Sequence, residues 1–196
     1  YMSSKVFKDN VFPRHVSDLM NLMHMVVFSG TDGEEKWDTY LPFEQKECVA
    51  LGLALYYQCD HCIEHHSKAL CKIGKVEEDV LSKNMNSIIL FLRTDTSRIT
   101  SSEKTRWMQA WQEFSVKIAM NRDKATPYLI GLAIGMARDD DFLIRFCGGE
   151  VRKILGEQGI DTRAAIGELE SIVIFMKAAA SKNRIANKVE DLFSEK

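Results

Sequence analysis

The chain has 196 residues, with 26 basic and 28 acidic side chains and a formal net charge of −2. Charges of both signs are interspersed, so nothing marks a phosphate-binding face and nucleic acid is excluded as an expected partner; no stretch approaches 18 uncharged apolar residues, which excludes a membrane partner by a spanning helix. The length suits one domain, or a domain doubled internally, and an odd count of five cysteines without a basic-then-apolar leader suits a reducing, cytoplasmic setting.

Tyr1, ahead of Met2, reads as an expression remnant, which sets the expected domain at 2–196. Val16, Leu19, Met20, Met23 and Val27 form the first run at helical spacing. Met20, Met23 and Met25 cluster near Phe28, and core filling is the default role of such side chains. His15 and His24 lack companion ligands and read as helix-surface or capping residues. Gly30 to Gly33, with Asp32, marks a loop before the next helical segment.

That segment, about 41–94, carries the chemistry. Two cysteines and three histidines crowd into Cys59-Asp60-His61-Cys62-Ile63-Glu64-His65-His66, with Glu47 twelve residues upstream of Cys59. On a helix, positions 59, 62 and 66 share one stripe, because residues three and four apart are surface neighbours. Cα atoms three residues apart lie roughly 5 Å from each other, inside the window of about 4.4–6.8 Å that a disulfide requires. A cysteine attacks only as its thiolate, and His66, four residues beyond Cys62, is placed to take the proton. Attack is therefore assigned to Cys62 and resolution to Cys59: peroxide converts the first thiolate to a sulfenic acid, which the second condenses to a disulfide. Glu47 reaches His66 only if its helix packs alongside the cysteine helix or the chain bends between them; it would then orient the imidazole and raise its basicity.

The set Glu47, Cys59-Asp60-His61-Cys62 and His66 resembles the alkylhydroperoxidase D (AhpD-like) type of the carboxymuconolactone decarboxylase superfamily. In that family a carboxylate, two cysteines and two histidines form a proton relay around a peroxidatic thiol. The resemblance carries those roles onto Glu47, Cys59, His61, Cys62 and His66. It also implies an all-helical subunit, assembly into a homo-oligomer (trimer or hexamer), a hydroperoxide substrate and re-reduction by a dithiol such as a protein-bound lipoyl group, with no cofactor. The cysteine pair argues for this redox branch over the decarboxylases of the superfamily, although a lyase using histidine chemistry is an alternative.

A different class of reading is a non-catalytic protein that holds zinc through Cys59, Cys62 and either His65 or His66. Structural sites usually draw on two separated ligand pairs, and no second pair occurs in the chain. Cys48, Cys71 and Cys147 stand alone and read as packing residues. His65 lies off the 59/62/66 stripe and is expected to face solvent or a neighbouring subunit.

Gly74 ends the cysteine helix. Val80, Leu81, Met85, Ile88, Ile89 and Leu92 form the next helical run. Thr100-Ser101-Ser102-Glu103 has the spacing of a capping box ahead of Trp107, Trp111, Phe114 and Ile118. Thr126 followed by Pro127 reads as an N-cap and a first-turn proline. No strict alternation of comparable length appears, so the fold class is all-α.

A weak internal repeat accompanies this pattern. Gly52-Leu-Ala54 resembles Gly131-Leu-Ala133, Lys68-Ala-Leu70 resembles Lys153-Ile-Leu155, and the segment Ser87 to Arg93 resembles Ser171 to Lys177. The three matches keep one order. They suggest two related helical lobes, a catalytic one at about 41–94 and a degenerate one at about 126–180. Where the first lobe carries its motif the second reads Arg138-Asp139-Asp140-Asp141, an acidic run expected to be a solvated loop. Ile185, Val189, Leu192 and Phe193 then mark a C-terminal amphipathic helix over 182–193.

Overall fold

The computed structural model describes residues 14–28, 39–74, 77–118 and 123–192. Among them the chain forms eight helices and no strand: α1 (Arg14–Val27), α2 (Phe43–Tyr57), α3 (Asp60–Gly74), α4 (Glu78–Leu92), α5 (Ser101–Ile118), α6 (Ala125–Arg138), α7 (Asp141–Glu157) and α8 (Thr162–Asp191). The fold class is all-α, as the periodicity predicts. The expected loop at Gly30 to Gly33 and the residue Phe193 lie outside the described residues.

Two helices are the centre of the molecule. In α2 every residue from Gln45 to Ala54 is buried, and in α6 burial runs almost without break from Ala125 to Gly135. A helix buried on all sides needs apolar or internally satisfied residues all round rather than one apolar stripe. Helices α3, α4 and α8 pack against α2, and α7 and α8 against α6, while α1 lies on α8 and α5 on α4. One connected cluster of buried apolar side chains, including Trp111, Phe175 and Leu129, runs through all of them.

Glycine sets how closely the central pair approaches its neighbours. A Cβ at Gly52 of α2 would stand 3.0 Å from Cγ2 of Ile130 on α6, and a Cβ at Gly131 of α6 would stand 2.6 Å from the sulfur of Cys147 on α7. Cys147 thus behaves as the small packing residue expected, fully buried and with its thiol pKa raised, chiefly by burial. The matched segments lie on α2 and α6, on α3 and α7, and on α8 and α4 with its C-cap Arg93; this placement does not establish that the two expected lobes are related.

Helix ends follow sequence signals in part. The capping box at α5 is formed: the backbone N–H of Thr100 donates to Glu103 at 2.7 Å, and the N–H of Glu103 donates to the Thr100 hydroxyl at 3.3 Å. Gly74 is the last residue of α3. Thr126, by contrast, is the second residue of α6 and not its cap. Asp123 does that work instead, accepting from the Ala125 N–H at 2.9 Å and from the Thr126 hydroxyl at 2.8 Å, because a carboxylate two residues ahead of the helix reaches its first free donors.

Two further expectations change. The helix expected over 182–193 is, as far as residue 191, no separate helix but the last third of α8, which runs 30 residues without interruption. Nothing in Ala178-Ala179-Ala180-Ser181 breaks a helix, and alanine has the highest helix propensity. The acidic run is not simply a solvated loop either. Asp140 caps α7, accepting from the Leu143 N–H at 3.0 Å, and also takes bonds from Thr96 and Arg138. Burial pushes the Asp140 pKa up, but these bonds outweigh it and hold the carboxyl below its ordinary range.

Replacing Gly131 with Ala is expected to destabilise the protein by about 1–3 kcal/mol, because the new methyl would stand 2.6 Å from a fully buried sulfur and one of the two must shift. Urea unfolding monitored by circular dichroism measures this, and an unchanged midpoint would show that α6 and α7 can separate at no cost.

Candidate active site

The site begins where α2 ends. Gln58 adopts left-handed backbone at φ 56°, and the N–H of Cys59 bonds back to the Ala54 carbonyl at 3.0 Å, closing the helix. Helix α3 starts at once. The Cys59 carbonyl accepts from the N–H of Ile63 at 2.9 Å, and the Cys59 sulfur accepts from the N–H of Cys62 at 3.4 Å. Cys59 therefore stands at the N-cap of α3, with sulfur where serine or aspartate commonly stands. The Cα atoms of Cys59 and Cys62 are 5.3 Å apart, and the two sulfurs are at disulfide distance.

The buried residues of α3 are Cys62, His66 and Leu70, one stripe at four-residue spacing facing α2. Across from it, Glu47 of α2 is buried, and its carboxylate lies 2.6 Å from Nδ1 of His66. Because α2 and α3 form a helical hairpin, the sequence gap between Glu47 and His66 closes. The pairing expected on condition that the helices pack together is thus present.

His61 lies on the other side of the cysteines. It is exposed and lines an open cleft of about 400 Å³ with Tyr57, Gln58, Cys59, Asn183 and Arg184. Cys59 lines this cleft and Cys62 does not. The structure so brings Glu47 to His66 and Cys59 to Cys62, and puts His61 on the cleft wall.

Two histidines differ from expectation. His65 does not simply face solvent: half-buried, its ring meets His66 edge-on at 5.0 Å and His24 at 5.5 Å. His24 is no surface or capping residue. Its ring stacks on Phe28 at 4.8 Å and meets Phe175 edge-on at 5.6 Å, and its Nε2 is buried without a hydrogen-bond partner. Burial, then the neighbouring His65 and His66, lowers its pKa from 6.5 to about 3. The turn of α1 that carries it is held in place by Met20, Val27 and Phe28, all buried. His15 is exposed on the same helix, as expected.

The other thiols stand apart from this chemistry. Cys48 is buried on α2, and its pKa is pushed up to about 12 by burial first and then by Glu44, Glu47 and Asp123. Cys71 is half-buried near the end of α3, its pKa raised by burial and then by Glu78 and Glu77. Burial so keeps the Cys48 thiol protonated at neutral pH, where a thiol is a poor nucleophile. No group of three or more His, Cys, Asp or Glu side chains among the described residues is arranged to hold a metal ion. No helix among them is long and apolar enough to cross a membrane.

No family model, curated protein or solved structure matches the chain. The resemblance drawn above rests on Glu47, Cys59, His61, Cys62 and His66 and on the segment around them, from Leu41 to Gly74.

One residue escaped the sequence reading. Asn183 of α8 places its Nδ2 3.7 Å from the sulfur of Cys59 and 3.7 Å from that of Cys62. A signal existed: Ile172, Met176 and Ala179 are buried along one stripe of α8, and the next position of that stripe, four residues on, is the polar Asn183. An amide where the periodicity calls for an apolar side chain points to a polar partner across the interface.

Two measurements bear on this geometry. Below about pH 6.5 the unfolded chain protonates His24 while the native state keeps it neutral until about pH 3, so stability is complete above 6.5 and falls as pH drops through that window. His24→Phe is expected to flatten part of this decline in urea midpoints measured from neutral pH down to about pH 4, and an unchanged slope would remove His24 as its source. Glu47→Ala leaves a buried imidazole nitrogen unpaired and is expected to cost about 1–3 kcal/mol by urea unfolding. A cost near zero would show that the pair contributes nothing to holding α2 on α3.

Proposed function

We propose that the chain is a thiol-dependent peroxidase of the alkylhydroperoxidase D-like type, a cytoplasmic homo-oligomer that reduces organic hydroperoxides through the Cys59–Cys62 couple. The observation that carries this reading is a pair of sulfurs at disulfide distance on the first turn of α3, with a buried His66–Glu47 hydrogen bond on the same stripe as Cys62. A Cys-x-x-Cys pair so placed is compatible with redox activity, and a carboxylate-oriented imidazole near a thiol is the arrangement that generates a thiolate at neutral pH.

In the oxidative half-reaction the Cys62 thiolate attacks an oxygen of the hydroperoxide. The O–O bond breaks, Cys62 becomes a sulfenic acid, and the alkoxide leaves as the alcohol with a proton supplied through His66 or His61. The Cys59 thiolate then attacks the sulfenic sulfur; the S–S bond forms and hydroxide departs as water. Hydroperoxide and two thiols thus give alcohol, water and one disulfide.

Two electrons must return from an external dithiol, for which a protein-bound lipoyl group is the class the resemblance implies. Cys59 is the sulfur that lines the cleft, so the incoming thiolate attacks there and releases the Cys62 thiolate. The second thiol of the reductant then displaces Cys59 from the mixed disulfide. The cleft supports Cys59 as the exchanging sulfur, and the buried stripe supports Cys62 as the peroxidatic one.

Excess cumene hydroperoxide is expected to convert the reduced protein to a form lighter by two hydrogens, with Cys59 and Cys62 joined in one cross-linked peptide by mass spectrometry. Both thiols remaining free under these conditions would sink the proposal. In the Cys59→Ser variant the same treatment should leave a dimedone-reactive sulfenic acid on Cys62. Its appearance only on Cys59 of a Cys62→Ser variant would reverse the two roles.

A further inference from the structure

We propose that Asn183 is the donor that sets the thiolate stability and redox poise of the Cys59–Cys62 couple. The inference rests on the reading of that pair as redox-active and adds to it a residue outside the five that the motif carries. The side-chain amide of Asn183 sits equidistant from both sulfurs, 3.7 Å from each, and forms part of the wall of the cleft that reaches Cys59. It comes from α8, far along the chain from the cysteines, and is half-buried where the rest of its stripe is apolar.

A neutral amide N–H bonds weakly to a disulfide sulfur, which carries no charge. It bonds far more strongly to a thiolate, because hydrogen bonds to ionised groups are roughly twice as strong as neutral ones. Reduction takes up two electrons and up to two protons: the S–S bond breaks and two thiols form, or one thiol and one thiolate where the acidity of the site allows. Asn183 therefore favours the reduced, singly anionic form over both the disulfide and the dithiol. The N–H of Cys62 and the N-terminus of α3 act on Cys59 in the same direction. The Cys62 N–H reaches Cys59 alone, whereas Asn183 reaches both sulfurs, so it serves the thiolate whichever cysteine carries the charge.

The experiment compares wild type with Asn183→Ala and Asn183→Asp, all reduced first. Iodoacetamide alkylation of the couple is followed against pH, and the thiol–disulfide equilibrium is measured in dithiothreitol redox buffers. Removing the donor should slow alkylation at neutral pH by about tenfold, as loss of a hydrogen bond to a charged group implies, and move its pH midpoint upward. The aspartate, a like charge beside the thiolate, should move it further still. The disulfide should become harder to reduce by the same factor in the equilibrium constant, about 30 mV per tenfold. A residue that only filled space would not order the three proteins this way.

Superimposable alkylation profiles and equal equilibrium constants across the three proteins would overturn the proposal. Should the alanine protein lose its helical circular-dichroism signal, the aspartate protein against wild type carries the comparison, since its amide is replaced by a side chain of the same shape. No peroxide enters the assay. A couple that ranks as expected yet ignores hydroperoxide would overturn the peroxidase reading and leave Asn183 in its role, and the converse result would do the opposite.

Discussion

Helix α2 is buried on every side, and it nevertheless carries three consecutive polar side chains, Gln45, Lys46 and Glu47, each of them buried. Polar groups taken out of water must find partners inside the protein or cost several kcal/mol each. Each of the three points in its own direction around the helix and reaches a different neighbour. Gln45 donates to Asp123 ahead of α6; Lys46 pairs with Glu168 of α8 and donates to the Val27 carbonyl of α1; Glu47 bonds to His66 of α3. One turn of helix thereby fixes four surrounding elements, and Glu168 extends the tie by accepting from the backbone N–H of Tyr40 at 2.7 Å. The site depends on this turn, because its Glu47 is one of the three tethers.

The two helix-to-helix turns make a useful contrast. After α2 and again after α6, a left-handed residue, Gln58 or Asp139, closes one helix, and the next residue but one opens another. The capping positions between them are Cys59 and Asp140. Asp140 is held by Thr96, Arg138 and the Leu143 N–H, a carboxylate whose charge is constant across neutral pH. Cys59 is held by the Cys62 N–H and Asn183, a sulfur whose charge depends on its oxidation state. The same backbone geometry thus places a carboxylate in one position and a sulfur in the other.

Much of the fold was readable from the chain because it rests on local rules. Helical spacing gives the class, the Thr100 to Glu103 spacing gives the start of α5, and three-residue spacing puts Cys59 within reach of Cys62. Glu47 and His66 were readable only jointly with an assumption of packing, since spacing speaks for one helix at a time. Most of the misses are non-local or competitive. His24 looks isolated in sequence and meets His65 and Phe175 only through the packing of α1. Thr126 loses the capping role to Asp123, a stronger acceptor slightly upstream. The unbroken α8 is a local feature, since nothing in Ala178 to Ser181 stops a helix, and the polar position 183 on an apolar stripe is local too; that its amide meets the two sulfurs is a tertiary approach that no window of the sequence contains.

The continuity of α8 has a mechanical corollary. The Lys46 partner, Glu168, and the sulfur-facing Asn183 are fifteen residues apart on one rod, about 22 Å at 1.5 Å per residue. With no joint between them, the phase of the second is dictated by the anchoring of the first. A single inserted residue anywhere in that span would swing the amide by about 100° around the axis, away from both sulfurs, while leaving every apolar residue before the insertion untouched. The spacing between Glu168 and Asn183 is thus as much a part of this cleft wall as the side chains themselves.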